Sequence, residues 1–250
     1  MKAVLFDLDN TLILYDEAAF YERYFREASR VFNDVMGSGE FFERIIKGIK
    51  AIFDSDGERT NADIFLEIFS ENTMLNKEEI WARFLHFYET GYDELKGDII
   101  LPGLVRDVVK GIRELGVTTV LASNPIFPFN VQMKRLLWGG LDNLEFDLVT
   151  HIENMRFCKP RREYYLEISR KIGMDPGECL MVGNDPVNDM AASLAGMRTF
   201  LTDDAGKTGE SALELTAHLS RKNELKIPEP DFRGPLSGVV PAVTKLLLEK

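Results

Sequence analysis

An apolar run that stops against two aspartates sets the terms for this chain. Ala3 to Phe6 reads as a short strand buried on both faces. Asp7-Leu8-Asp9-Asn10-Thr11 follows it without a spacer. Two carboxylates two residues apart, beside a low-dielectric core, repel each other and lose hydration. Asp is also an ordinary turn former, so the pair alone leaves a plain turn and a ligand site both open. The rest of the chain favours the site, because open α/β sheets gather ligands at the C-terminal ends of parallel strands.

After Thr11 the periodicity becomes helical. In residues 17–36, Phe20, Tyr24, Phe25, Ala28, Val31, Phe32 and Val35 recur on one face, and Gly37-Ser38-Gly39 ends the segment. A second helix is expected over 40–53, then a polar loop at 54–61, and two further helices near 62–71 and 77–95. Asn76 with Glu79 three residues on forms a capping-box signal for the last of them. Residues of about 15–97 thus read as an all-helical block, whose aromatic stripes are expected to pack as core rather than to bind a cofactor.

From Asp98 strands and helices alternate. Helices are expected near 103–115, 128–138, 161–172 and 190–195, the first opened by Pro102-Gly103 and the third carrying Pro160 at its start. Strands are expected at 117–122, 146–150, 179–182 and 198–201. Residues 203–235 read as polar and Pro/Gly-punctuated with a helix near 209–220, and 236–249 as a closing helix despite Pro241. Strands joined by such helices imply right-handed crossovers and a parallel sheet. The helical block interrupts that sheet after its first strand and is expected to cover Asp7 and Asp9.

Four strand ends then carry polar groups: Asp7/Asp9/Thr11, Ser123/Asn124, Lys159, and Asn184/Asp185/Asp189. A parallel sheet directs them to one crevice. Several carboxylates together call for a cation, and oxygen donors without His or Cys in ligand spacing suit Mg²⁺ rather than zinc. Of the three histidines, His86 and His218 fall on helices and His151 follows the third strand; all are read as structural or surface. A carboxylate nucleophile beside Mg²⁺ suits attack on phosphorus. Lys159, Thr11 and Ser123 are placed to hold equatorial oxygens, and Asp9 to exchange a proton with the leaving oxygen and then with water. Ser123 is also a natural helix N-cap, a role compatible with anion contact.

The segments FDLDNTL, LASNP, KP before a helix, and VGNDPVND, in that order, resemble the four motifs of the haloacid dehalogenase-like hydrolase superfamily. The resemblance implies an α/β fold: a Rossmann-like parallel sheet with helices on both faces (residues 1–14 and 98–250) plus an inserted all-helical cap domain (residues 15–97). It implies Asp7 as nucleophile, Asp9 as general acid/base, and Thr11, Ser123, Asn124 and Lys159 on the phosphoryl group. It places Mg²⁺ on Asp7, on the backbone carbonyl of Asp9 and on the acidic fourth motif. An acid at position 9 resembles the phosphatase and phosphomutase branches; the dehalogenase branch displaces halide and needs no proton donor. The fourth motif departs from its relatives, which often begin Gly-Asp where this chain has Gly183-Asn184. Asp185 is then expected to make the direct metal contact, with Asn184 and Asp189 as the other candidates.

The expected function is a Mg²⁺-dependent phosphatase of a small phosphorylated metabolite. A phosphomutase, a phospho-acceptor signalling domain and a catalytically weak phosphate-binding protein are the alternatives. A net charge of −11 argues against a nucleic-acid partner, because phosphate backbones need clustered cations. Two cysteines, Cys158 and Cys179, fit a reducing cytosol better than a disulfide framework. No secretory leader and no membrane-length apolar run is read.

Overall fold

A computed structural model of the protein describes residues 1–97, 99–101, 103–204 and 226–249. Among the described residues the sheet has six parallel strands in the order β3-β2-β1-β4-β5-β6. In chain order these are Ala3–Phe6, Thr118–Leu121, Leu148–Val149, Cys179–Gly183, Arg198–Thr202 and Phe232–Gly234. Strand β1 is central: Phe6 pairs with Leu121 on one side and Val182 on the other. All four β1 residues are fully buried, and they alternate between two layers. Val4 and Phe6 face one apolar cluster, with Val105, Val109 and Ile112 of α5 (Val105–Glu114) and Val239 and Val243 of the closing helix, α8 (Val239–Leu248). Ala3 and Leu5 face the other, with Tyr164, Tyr165 and Ile168 of α7 (Arg162–Ile172). A strand apolar at every position is what a doubly covered central strand requires.

Between β1 and α5 the chain forms α1 (Glu17–Arg30), α2 (Ser38–Phe53), α3 (Asn61–Ser70), α4 (Lys77–Thr90) and a 3₁₀ turn at Tyr92–Leu95. Their shared interior is aromatic: Phe32, Phe41, Phe69 and Phe84 stack edge-on or tilted at centroid separations of 5.0–6.1 Å. Gly48 lets α2 approach α3, since a Cβ there would lie 2.7 Å from the Phe65 ring. The capping box of Asn76 and Glu79 opens α4, with both reciprocal bonds made. The two ends of the helical segment are tied together where Leu14 and Ile100 exchange backbone hydrogen bonds of 2.7 and 2.8 Å.

Several boundaries differ from the sequence expectation. Helix α1 stops at Arg30 instead of running to 36, because Arg83 of α4 donates to the Val31 carbonyl and grips Asp34, fixing a turn there. Helix α4 gives way at Gly91 to the 3₁₀ turn. Helix α5 starts two residues late, after Leu104 turns the chain in the left-handed region at φ 70°. Only two residues of 146–150 pair as strand. Residues 190–195 form a 3₁₀ rather than an α-helix, short enough for i→i+3 bonding before Gly196 at φ 91°. Strand β6 lies in a stretch read from its polarity as strandless; Phe232 stacking on Phe200 of β5 supplies the apolar contact that local composition did not show. In the closing segment α8 begins only at Val239, with Pro241 in its first turn, where no helical N–H is lost. The helix expected near 209–220 lies outside the described residues. No helix among the described residues is long and apolar enough to cross a membrane.

Candidate active site

Asp7 is the first residue after β1, and its N–H donates to the Val182 carbonyl at 2.9 Å, so the ladder itself fixes the backbone. The next residues, Leu8 to Ile13, close a tight loop: Leu12 and Ile13 N–H groups both donate to the Leu8 carbonyl, and the Asn10 N–H donates to the Ile13 carbonyl, with Asn10 left-handed at φ 57°. Asn and Asp tolerate that region better than other side chains. The loop returns Thr11 to the strand end, where its hydroxyl lies 3.0 Å from Asp7 Oδ2 and 3.0 Å from Asn184 Oδ1.

Lys159 arrives from 152 residues away and is 1 % exposed. Its Nζ donates to Asp7 Oδ1 and to Asp189 Oδ1, both at 2.7 Å. Pro160 precedes α7 rather than opening it, so Lys159 sits ahead of the helix. The Asp189 carboxylate rests on Gly183, where a Cβ would fall 2.1 Å from Oδ2, and accepts the Asp185 N–H at 2.9 Å. Asp185 turns its own carboxylate into the loop: Oδ1 accepts from the Val187 and Asn188 N–H groups at 2.8 Å, and Oδ2 from Asn188 Nδ2 at 3.0 Å. Asp189 is therefore the fourth-motif carboxylate in contact with Lys159, and Asn184 the residue that reaches Thr11.

Ser123 and Asn124 follow β2, just past Ala122, whose N–H donates to the Phe6 carbonyl at 2.7 Å. The Ser123 carbonyl accepts from Thr150 Oγ1 at 2.7 Å and from the Tyr164 hydroxyl at 2.9 Å, which anchors the backbone of the second motif. Ser123 is no helix cap: α6 (Phe129–Trp138) starts six residues later, with Pro128 at its N-cap. Asn124 Oδ1 is buried without a hydrogen-bond partner. His151 is held by Glu153 at 2.6 Å and against Phe129, away from this cluster.

Burial, and next the charge of Asp189, push the Asp7 carboxyl up to about 8. Burial alone depresses the Lys159 ammonium, but Asp189 and Asp7 together outweigh it and hold it above its ordinary range. Asp189 is raised too, by burial first. One ammonium thus faces two buried carboxylates, with a third acid at Asp9. The available donors are carboxylate, amide and backbone oxygens. That surplus of negative oxygen fits a hard divalent cation such as Mg²⁺, although among the described residues no three acidic, His or Cys side chains already converge as a ligand set.

Asp9 has a different cationic partner from Asp7. Its Oδ1 accepts a hydrogen bond from Arg135 of α6, which also donates to the Tyr15 hydroxyl. Sequence reading missed Arg135. Its position in an amphipathic helix looks like any solvated cation, and the long-range partner leaves no local signal. Glu17 joins this side by accepting from Asn10 Nδ2 at 2.7 Å; burial, with the charge of Asp9, raises its carboxyl to about 7.

Residues 1–196 match the haloacid dehalogenase-like hydrolase family. Hexitol phosphatase B of Escherichia coli O157:H7 is 35% identical over 135 residues, 54% of this chain and 59% of that protein. The chain thus matches under two thirds of that relative's length. A HAD phosphatase structure from Thermococcus onnurineus has a TM-score of 0.51 at 22% identity, covering 99% of this chain and 98% of the other. The structure of a predicted phosphoglycolate phosphatase from Haemophilus somnus 129PT has a TM-score of 0.54 at 16% identity, covering 97% and 98%. The two structures share the fold. The family match spans β1 through the loop that carries Asp189, and so includes every strand end described above: this chain belongs to the haloacid dehalogenase-like hydrolases.

Proposed function

We propose that the protein is a Mg²⁺-dependent phosphatase of small phosphorylated metabolites, acting through an aspartyl-phosphate on Asp7. The observation that carries this reading is the grip on Asp7. A buried carboxylate at the end of the central strand is held by Lys159 and Thr11, and a second acid lies two residues on.

In the first step an Asp7 oxygen attacks phosphorus and the bond from phosphorus to the ester oxygen breaks. Asp9 gives its proton to that leaving oxygen. Lys159, Thr11, Ser123 and the Asn124 side chain contact the equatorial oxygens, where charge spreads in the transition state. In the second step water attacks the same phosphorus and Asp9 takes its proton. The bond to Asp7 breaks, and inorganic phosphate leaves. Asp7, the Asp9 carbonyl and oxygens of Asn184, Asp185 or Asp189 would hold Mg²⁺, which when bound would supply positive charge to offset repulsion between Asp7 and the phosphate dianion.

The helical block, residues 15–97, is proposed as a cap on a core of residues 1–14 and 98–250, and as the source of substrate selectivity. The name of the hexitol phosphatase relatives points to hexitol phosphates as a substrate class to test first. Both cysteines are buried and free, which supports a reducing, cytoplasmic setting. The acidic chain supports a metabolite rather than nucleic acid as partner. The test is phosphate release with Mg²⁺ from sugar and sugar-alcohol phosphates, nucleoside monophosphates, phosphoglycolate and 4-nitrophenyl phosphate. Turnover of at least one, lost on chelation and in Asp7→Asn, is expected. No turnover of any with metal present would overturn the reading.

A further inference from the structure

Arg135 is the largest all but fully buried side chain among the described residues, at 1 % exposure. It lies in the middle of α6, on the sheet side of the chain, yet its guanidinium reaches the strand-end loop. One nitrogen, Nη2, donates both to Asp9 Oδ1 and to the Tyr15 hydroxyl. Three rings surround the group: its central carbon lies 5.4 Å from the Tyr15 centroid and 5.5 Å from those of Phe20 and Phe127. A guanidinium out of water costs several kcal/mol unless a partner and ring faces compensate it. Here the carboxylate partner is the acid two residues beyond Asp7.

The rings come from three different places. Tyr15 belongs to the link leaving the strand-end loop, Phe20 to α1 of the helical block, and Phe127 to the loop after β2. The helix bearing Arg135 is itself fastened to the far end of the block. Trp138 Nε1 donates to Asp93 at 2.9 Å, Lys134 pairs with Asp93 at 2.7 Å, and the Trp138 ring stacks on Tyr92 at 4.8 Å. A shift of the block relative to the sheet would withdraw the Tyr15 hydroxyl and two of the three rings from the guanidinium.

We propose that Arg135 is a positioning residue for Asp9. It fixes the Asp9 carboxylate through Oδ1, leaving Oδ2 for proton exchange with the leaving oxygen. Its aromatic surround makes that position depend on how the helical block sits on the sheet. The proposal rests on the phosphatase reading, in which the proton from Asp9 matters for the first step only as far as the leaving group needs one. An alkyl alcohol needs it; 4-nitrophenolate leaves without it.

The experiment follows leaving-group release in a single turnover, with full-length enzyme in excess and Mg²⁺ present, for an alkyl phosphate and for 4-nitrophenyl phosphate. Arg135→Met is expected to slow the alkyl substrate by about 100-fold and the aryl substrate by less than about 5-fold, with Arg135→Lys intermediate. Asp9→Asn is expected to show the same selectivity, and adding Arg135→Met to it to change the rates by less than about 3-fold. If Arg135→Met does not fold, Tyr15→Phe, which removes one hydroxyl, is expected to give a smaller loss with the same selectivity. Equal losses on both substrates, or losses that multiply with Asp9→Asn, overturn the inference while the wild type still turns over. A wild type that releases neither leaving group overturns the phosphatase reading, and this inference with it.

Discussion

The two aspartates are neighbours in sequence, but they sit in opposite surroundings. Asp7 meets Lys159, an ammonium shared with Asp189, in a pocket of sheet residues and backbone donors. Asp9 meets Arg135, a guanidinium enclosed by rings drawn partly from the helical block. On the Asp7 side one cation serves two carboxylates, so charge is left over for a metal. On the Asp9 side the cation has one carboxylate and a phenol, and α1 contributes the Phe20 ring to its surroundings. Both sides gather residues from distant parts of the chain, and the Asp9 side adds a ring from α1 of the helical block.

The largest expected effect tests whether the two acids differ in kind. Asp7→Asn removes the proposed nucleophile and is expected to lower phosphate release by at least about 10³-fold, measured as initial rate with saturating substrate. Retention of more than a tenth of the activity would make Asp7 a bystander.

Lys159→Met breaks the shared cation. It leaves Asp7 and Asp189 facing each other in a buried site and is expected to cost about 3–5 kcal/mol in urea unfolding. Mg²⁺ at millimolar concentration is expected to restore part of that loss. A variant as stable as the wild type without metal would show that Lys159 relieves no repulsion.

A third test concerns Glu17, the acid that the helical block brings to the Asp9 side. Its carboxyl is raised to about 7, by burial and then by Asp9. A raised acid favours the folded state while protonated. Its contribution is intact below the unfolded value near 4.5 and is lost as pH rises through 7. Glu17→Gln keeps an acceptor for Asn10 and removes the ionisation. It is expected to match the wild type at pH 4 and to exceed it by about 2 kcal/mol at pH 8, in metal-free thermal or urea unfolding. A constant difference across that range would place Glu17 in solvent.

The smallest expected effect compares the cations themselves. Arg135→Lys keeps the charge but loses the planar fork and its ring stacking, and is expected to cost about 1–2 kcal/mol. A neutral result would mean that the rings pack equally well around an ammonium.

Much of this contrast was visible on one side only. Lys159 announces itself by position, after a strand and beside a proline at a helix start. Thr11 lies in the same loop as Asp7, and Asn184 and Asp189 share a loop after β4. Arg135 carries no such mark, because it is one cation in the helix that follows the second motif. The same limit explains β6, whose strand character comes from Phe232 lying against Phe200. It also explains the early end of α1, which Arg83 imposes from another helix.

The amino-acid sequence by itself determined the parallel sheet, the helical interruption after its first strand and the strand-end residues. Apolar runs, helical periodicity and capping residues are local, and each strand end follows directly from its strand. Only the tertiary structure decided how those residues divide. It set Lys159 between Asp7 and Asp189, folded the Asp185 carboxylate into its own loop, and brought Arg135 across 126 residues to Asp9. Such pairings depend on the paths of separate elements through space, and a buried charge finds its partner only once those elements have packed.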